Sequence, residues 1–215
     1  LIFTELRFFV FFAVVFAVTW SLRRNRDRRV WLLLASYAFY GAWDWRFLGL
    51  IFASTALDFV AGARIAGSES PGRRRFWLLA SLVGNLGILG FFKYFNFFAT
   101  SAGSLLQLLG LDVEVRTLSI VLPVGISFFT FQSMSYTIDI HRRQLDPCPR
   151  FVDFALFVSF FPQLVAGPIV RARGFLPQLD EARHFRDVNV RVCLTIFLVG
   201  FIKKACIADQ IAVPV

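Results

Sequence analysis

LRFFVFFAVVFAVTWSL, residues 6–22, runs straight into RRNRDRR, residues 23–29. The first stretch has only one charge, Arg7, in a length suited to crossing a bilayer, since a membrane-spanning helix needs about 17–25 apolar residues. The second holds five arginines against one aspartate. A cleaved signal peptide would end on small residues. This run ends on arginines, so it reads as a membrane anchor with a cytoplasmic stop.

The rest of the chain repeats the pattern. Of 215 residues, 57% are hydrophobic, and mean hydropathy is +0.65. There are 28 phenylalanines. A water-soluble domain of this length could not cover so much aromatic surface, whereas lipid removes the need to. The net charge is +9. A basic chain can bind nucleic acid, but here the arginines sit in short runs between apolar segments. That distribution argues against a nucleic-acid face and for basic cytoplasmic loops.

Spans are expected near 6–22, 30–43, 47–66, 76–92 and 117–140, with a further span starting over 193–207. The loops at 23–29, 67–75 and 141–150 are basic, while 44–46 and 99–116 are close to neutral. Basic and neutral loops alternate, as five crossings require. The bias puts the N-terminus outside. The alternation stops at 151–166, which has basic flanks on both sides and contains Pro162. That segment is expected to be re-entrant, since a full crossing would export one flank. Residues 174–192 are polar, with an expected break at Pro177, and should lie along the cytoplasmic interface. The expected fold is all-α and polytopic, one membrane domain over 1–215.

Few residues offer chemistry. Asp58 is a carboxylate inside an apolar helix. It is either a structural or catalytic group facing the bundle interior, or a charge paired with a buried arginine or a helix N-terminus. Asp139 is expected at an interface. His141 stands beside Arg142 and Arg143 without partner groups for catalysis, and His184 lies in a polar segment. Cys148, Cys193 and Cys206 have no metal or disulfide spacing. No metal and no cofactor is expected. Lys203 and Lys204 can bind an acidic headgroup or carrier phosphate, or snorkel to the interface. Pro123 with Gly125, and Pro162 with Gly167 and Pro168, interrupt helices within the bilayer. Such breaks leave backbone groups to be satisfied by neighbours, either around a cavity or in kinked packed helices.

Five segments decide between function classes: FKYFNFF at 92–98, LPVGISFFTFQ at 122–132, SYTID at 135–139, FPQLVAGPI at 161–169 and GFIKK at 200–204. In order and content they resemble the membrane-bound O-acyltransferase family, and within it the branch that acetylates alginate. The resemblance runs from YAFYGAW at 37–43 onward. It implies a ring of membrane helices around a thinned centre pierced by a tunnel. It also implies acyl transfer, here acetyl, to hydroxyls of an exported polysaccharide, with the donor (acetyl-CoA or an acyl-carrier intermediate) on the cytoplasmic side. Partner proteins of an O-acetylation complex are implied as well. Pro162, Gln163, Gly167 and Pro168 would shape the donor side of the tunnel, with Lys203 and Lys204 close to it. The family's catalytic histidine stands in a Trp-His-Gly-like context that these residues lack. The chain is therefore expected to be an N-terminal portion, inactive alone, with its histidine beyond Val215. The competing classes are a transporter or channel subunit, from the broken helices and Asp58, and a noncatalytic membrane scaffold.

Overall fold

The structure, a computed structural model, describes residues 6–109, 118, 121–164, 169–181, 184–208 and 211. Every regular element among them is helical. The helices are α1 (Leu6–Ser21), α2 (Asn25–Asp44), α3 (Leu48–Ala66), α4 (Pro71–Leu108), α5 (Ile126–His141), α6 (Phe151–Ser159), α7 (Phe161–Leu164), α8 (Ala172–Asp180) and α9 (Val190–Ile202). A π-helical turn, Lys203–Ala208, continues α9. The chain forms two compact units, residues 29–180 and residues 1–28 with 181–215.

Within the first unit α3 packs on α4, α5 and α6. Its buried stripe is Ile51, Ser54, Thr55, Asp58, Ala61, Gly62 and Ile65, at helical spacing and mostly small or polar. Small residues let backbones approach closely. A Cβ on Gly62 would lie 2.7 Å from Tyr136 Cε1 and 2.9 Å from Ile140 Cδ1, so α3 and α5 meet at a point only glycine fits. α5 is the central helix, buried on most of its faces from Ile126 to Ile140.

α4 is inside-out by the standard of a soluble protein. Its buried residues include Ser81 and Asn85, while Phe76, Leu79, Val83 and Leu86 are exposed. α9 has no buried residue, although it is almost wholly apolar. Exposed apolar faces of that size mark contact with lipid or partners in proteins generally. Two helical stretches, Asn25–Ala66 and Pro71–Leu108, are long and apolar enough to cross a membrane.

Several helices extend beyond the spans read from the sequence. α4 runs on to Leu108, past the expected end of the span at Phe92, because nothing from Phe92 to Leu108 breaks a helix. Residues 99–108 are thus helix, not loop. α2 begins in the arginine run, at Asn25. It ends at Asp44, whose extended backbone (φ −156°, ψ 112°) and side-chain bond from the Arg46 N–H start the short 3-10 turn Trp45–Phe47. The expected break at Pro177 is absent. Pro177 lies inside α8, where its missing N–H orphans only the carbonyl of the exposed Arg173.

Candidate functional site

Two helix breaks in the larger unit are each closed by side chains from other helices. At the first, Pro123 precedes Gly125, whose φ of 74° is the left-handed conformation glycine adopts without strain. Gly125 starts α5. The Val124 carbonyl, left out of any helix, accepts from Tyr40 Oη at 3.0 Å.

At the second, Phe160 (φ −55°, ψ 108°) separates α6 from α7. In an unbroken helix the Phe157 carbonyl would accept from the Phe161 N–H. That N–H instead donates to Ser36 Oγ at 3.3 Å. The Phe157 carbonyl accepts from Gln132 Nε2 at 2.6 Å and from Gln163 Nε2 at 3.2 Å. Gln132 is fully buried, and its Oε1 has no hydrogen-bond partner. Thr130 Oγ1 and Tyr37 Oη are also buried without one. A buried polar atom left open is costly. Pro162 is exposed, and Gly167 and Pro168 lie outside the described residues.

Asp58 is fully buried between α3, α4 and α5. Neither an arginine nor a helix N-terminus pairs with it among the described residues. Asn85 Nδ2 donates to both its oxygens, at 2.9 and 2.8 Å, and Ser81 Oγ donates to Oδ1 at 2.5 Å. Ser54 Oγ donates to Asn85 Oδ1 at 2.6 Å, which orients that amide so that its nitrogen faces the carboxylate. Ser81 Oγ and Thr137 Oγ1 lie 2.9 Å apart. Ser81 donates to Asp58, so the single Thr137 proton is divided between Ser81 Oγ and the Met134 carbonyl at 3.0 Å. The network joins three helices. Asp139 is buried within the protein too, with Oδ2 unpartnered.

At one end of this unit four charges interlock. Arg29 Nη1 lies 3.2 Å from Asp153 Oδ2 and 3.0 Å from Asp180 Oδ1. Arg150 Nε lies 2.5 Å from Asp153 Oδ2, and its Nη2 also pairs with Asp180. The bonds to Asp153 and then Asp180 hold the Arg150 pKa above its ordinary value. Cys148, in the same loop, donates its N–H to Tyr136 Oη at 2.9 Å, and burial pushes its thiol pKa up. Nearby, Arg74 Nη1 donates to the Ile65 carbonyl at 2.8 Å, and Nη2 to the Ile140 and His141 carbonyls at 3.3 and 2.9 Å. One side chain thus satisfies the C-terminal carbonyls of both α3 and α5.

The remaining expected residues lie on other elements or at the end of α5. Lys203 and Lys204 belong to the smaller unit, exposed on the π-helical turn. His184 caps the 3-10 turn Phe185–Asp187. His141 ends α5 with Nδ1 unpartnered. Cys193 and Cys206 are exposed and unpaired. No group of three potential metal ligands occurs among the described residues. Gln132, Asn85 and Tyr40 carry more of the local structure than the sequence marks. Asn96 is a further case: its amide pairs with both backbone groups of Leu118, at 2.8 and 3.0 Å.

Two helical stretches long and apolar enough to cross a membrane, exposed apolar faces and a buried polar network are the features of a helical membrane protein. Over nearly its whole length the chain is homologous to AlgI-type proteins of the membrane-bound O-acyltransferase family. It is 40% identical to the probable alginate O-acetylase AlgI of Azotobacter vinelandii, over 99% of this chain and 42% of that protein. With the protein of the same name from Pseudomonas aeruginosa the identity is 38%, over 99% of this chain and 41% of the relative. The peptidoglycan O-acetyltransferase of Helicobacter pylori is 32% identical, over 86% of this chain and 39% of its own length. The chain therefore spans about two fifths of the length of these curated relatives. No protein-family model and no solved structure matches it.

Proposed function

We propose that this chain is part of a membrane-bound O-acetyltransferase acting on hydroxyls of a glycan outside the cytoplasm, alginate or a similar exported polysaccharide. The observation that carries this is the similarity end to end. Relatives matched over 86–99% of the chain are named for O-acetyl transfer, to alginate in some and to peptidoglycan in another. The chemistry those names share is a sugar hydroxyl as acceptor.

In the reaction the acceptor oxygen attacks the carbonyl of a thioester-type donor, acetyl-CoA or an acyl-carrier intermediate. A C–O bond forms and the C–S bond breaks. The hydroxyl proton passes to a general base, and the thiolate leaves and is protonated. The base is a histidine other than His141, which lacks partner groups, or His184, which caps a turn. It lies in sequence beyond Val215, so residues 1–215 are inactive alone. These residues form a portion of a single multi-pass domain in the bacterial inner membrane, with the N-terminus outside and the arginine-rich loops in the cytoplasm. Pro162, Gln163, Gly167 and Pro168 shape the donor side of a water-excluding passage through a re-entrant 151–166 segment. Lys203 and Lys204 attract the donor's phosphate groups. Companion proteins of an O-acetylation complex hand the acetyl group on.

The test is ester-linked acetate on the exported polysaccharide of a strain lacking the gene, with and without the full-length protein restored. Acetate should vanish and return. Unchanged acetylation in the deletion strain would remove the proposal. Topology is read separately, by labelling single cysteines at Gln144 and Arg173, where reactivity from opposite sides of the membrane would refute the re-entrant segment.

A further inference from the structure

A cavity of about 410 Å³ opens where α3 hands over to α4, lined by Ala63, Arg64, Gly67, Ser68, Arg73 and Trp77. The guanidinium of Arg64 lies over the Trp77 ring, 5.7 Å from its centre. Arg64 and Arg73 are both exposed, and neither has an acidic partner among the described residues. Glu69, the one carboxylate of the 67–75 loop, is not part of the lining.

The backbone beside the cavity carries both signs. The C-terminus of α3 opposes an anion, an effect softened because its last carbonyls already accept hydrogen bonds. Ala63 O accepts from the Gly67 N–H at 3.0 Å, Arg64 O from Ser68 Oγ at 2.6 Å, and Ile65 O from Arg74. The N-terminus of α4 favours an anion and has no side-chain cap from Ser70. Two arginines without acidic partners among the described residues therefore face one space, next to the start of α4.

An apolar track leads away from it. Arg73 heads a row on α4 that continues through Phe76, Leu79, Val83 and Leu86 at three- and four-residue steps, all four exposed. A soluble phosphate would have no use for that row, whereas an acyl chain would lie along it. We propose that this cavity is a binding site for the phosphate headgroup of an anionic phospholipid, whose chain runs down the exposed face of α4. The proposal rests on α4 lying in a membrane. A second cavity of similar make-up, beside Trp20 and Arg28, includes the Asp187 carboxylate and is the poorer anion site.

The experiment is native mass spectrometry of the full-length protein in detergent, titrated with dioleoyl phosphatidylglycerol. Three forms are compared: the unaltered protein, R64Q/R73Q, and R142Q/R143Q, which removes the same charge from another exposed loop. R64Q/R73Q should weaken the first bound lipid by about twenty-five-fold, from two charges each worth roughly a factor of five at an anionic surface. R142Q/R143Q should leave it unchanged. Millimolar inorganic phosphate should not displace the lipid. Equal weakening in both variants, or no weakening in R64Q/R73Q, overturns the site. Displacement by inorganic phosphate overturns the lipid as its occupant. Failure of the membrane reading would show separately, as a protein monomeric in buffer without detergent.

Discussion

Replacing Gly62 by alanine should destabilise the α3–α5 contact, and the size of the effect can be isolated. The new Cβ would meet Tyr136 Cε1 at 2.7 Å, Ile140 Cδ1 at 2.9 Å and Tyr136 Oη at 3.1 Å. The Tyr136 ring has little room to yield. Its oxygen holds the Cys148 N–H, and its face lies 4.3 Å from the Phe154 ring centre. Overpacking of this kind costs about 1–3 kcal/mol. Alanine also favours helix over glycine by about 1 kcal/mol, which would mask part of the cost. Gly87 supplies the control: it lies within α4, and a Cβ there meets nothing within 4 Å. The propensity gain is common to G62A and G87A, so the difference between them is the overpacking alone, about 1–3 kcal/mol in favour of G87A. Unfolding in mixed micelles, with increasing SDS and helicity as the signal, measures both. Equal stability for the two variants would show that α3 and α5 are not in this contact.

Replacing Asn85 by leucine should cost more than D58N. The first strips Asp58 of a donor to both oxygens and leaves a buried carboxylate short of partners, a loss of about 3 kcal/mol or more. The second keeps the size and most of the hydrogen bonds, and should cost about 1 kcal/mol. The same unfolding assay ranks them, and the reverse order would mean that the network is not built around the carboxylate. Cys148 should react with maleimide far more slowly at neutral pH in the folded protein than in the same protein unfolded in SDS. Its thiol is buried and its pKa is raised by that burial. Raising the pH should narrow the gap as the Cys148 thiolate forms. Mass spectrometry of labelled peptides reads this, and equal rates at neutral pH would contradict the packing of the 142–150 loop.

The helices were legible where apolar runs were interrupted by strong punctuation. Arg23–Arg29, the Asp44 turn and Pro123-Gly125 all separate elements near where the sequence places the separations. Boundaries failed where punctuation was absent or misleading. α4 continues through residues 93–108, which a hydropathy reading cuts off, because helix formation needs only the lack of a breaker. Pro177 reads as a break, yet a nine-residue surface helix tolerates one orphaned carbonyl. In the site, the sequence marked Asp58 as a group needing a partner but could not supply one. Asn85 and Ser81 are 27 and 23 residues away, on another helix. Gln132 was hidden for a similar reason. Its function is to receive a carbonyl freed by a break 25 residues on, and nothing local in LPVGISFFTFQ records that.

Arg74 binds the ends of α3 and α5 from the first turns of α4, so the three helices are trimmed to one level. That level serves as a depth gauge. At 1.5 Å of rise per residue, Ser81 and Asn85 lie about 10 and 16 Å further along α4. With α4 upright in a hydrocarbon layer about 30 Å thick, the Asp58 carboxylate they hold sits near the midplane. The three helices that enclose it keep water from its hydrogen bonds, and they cannot slide past one another without leaving a buried oxygen bare.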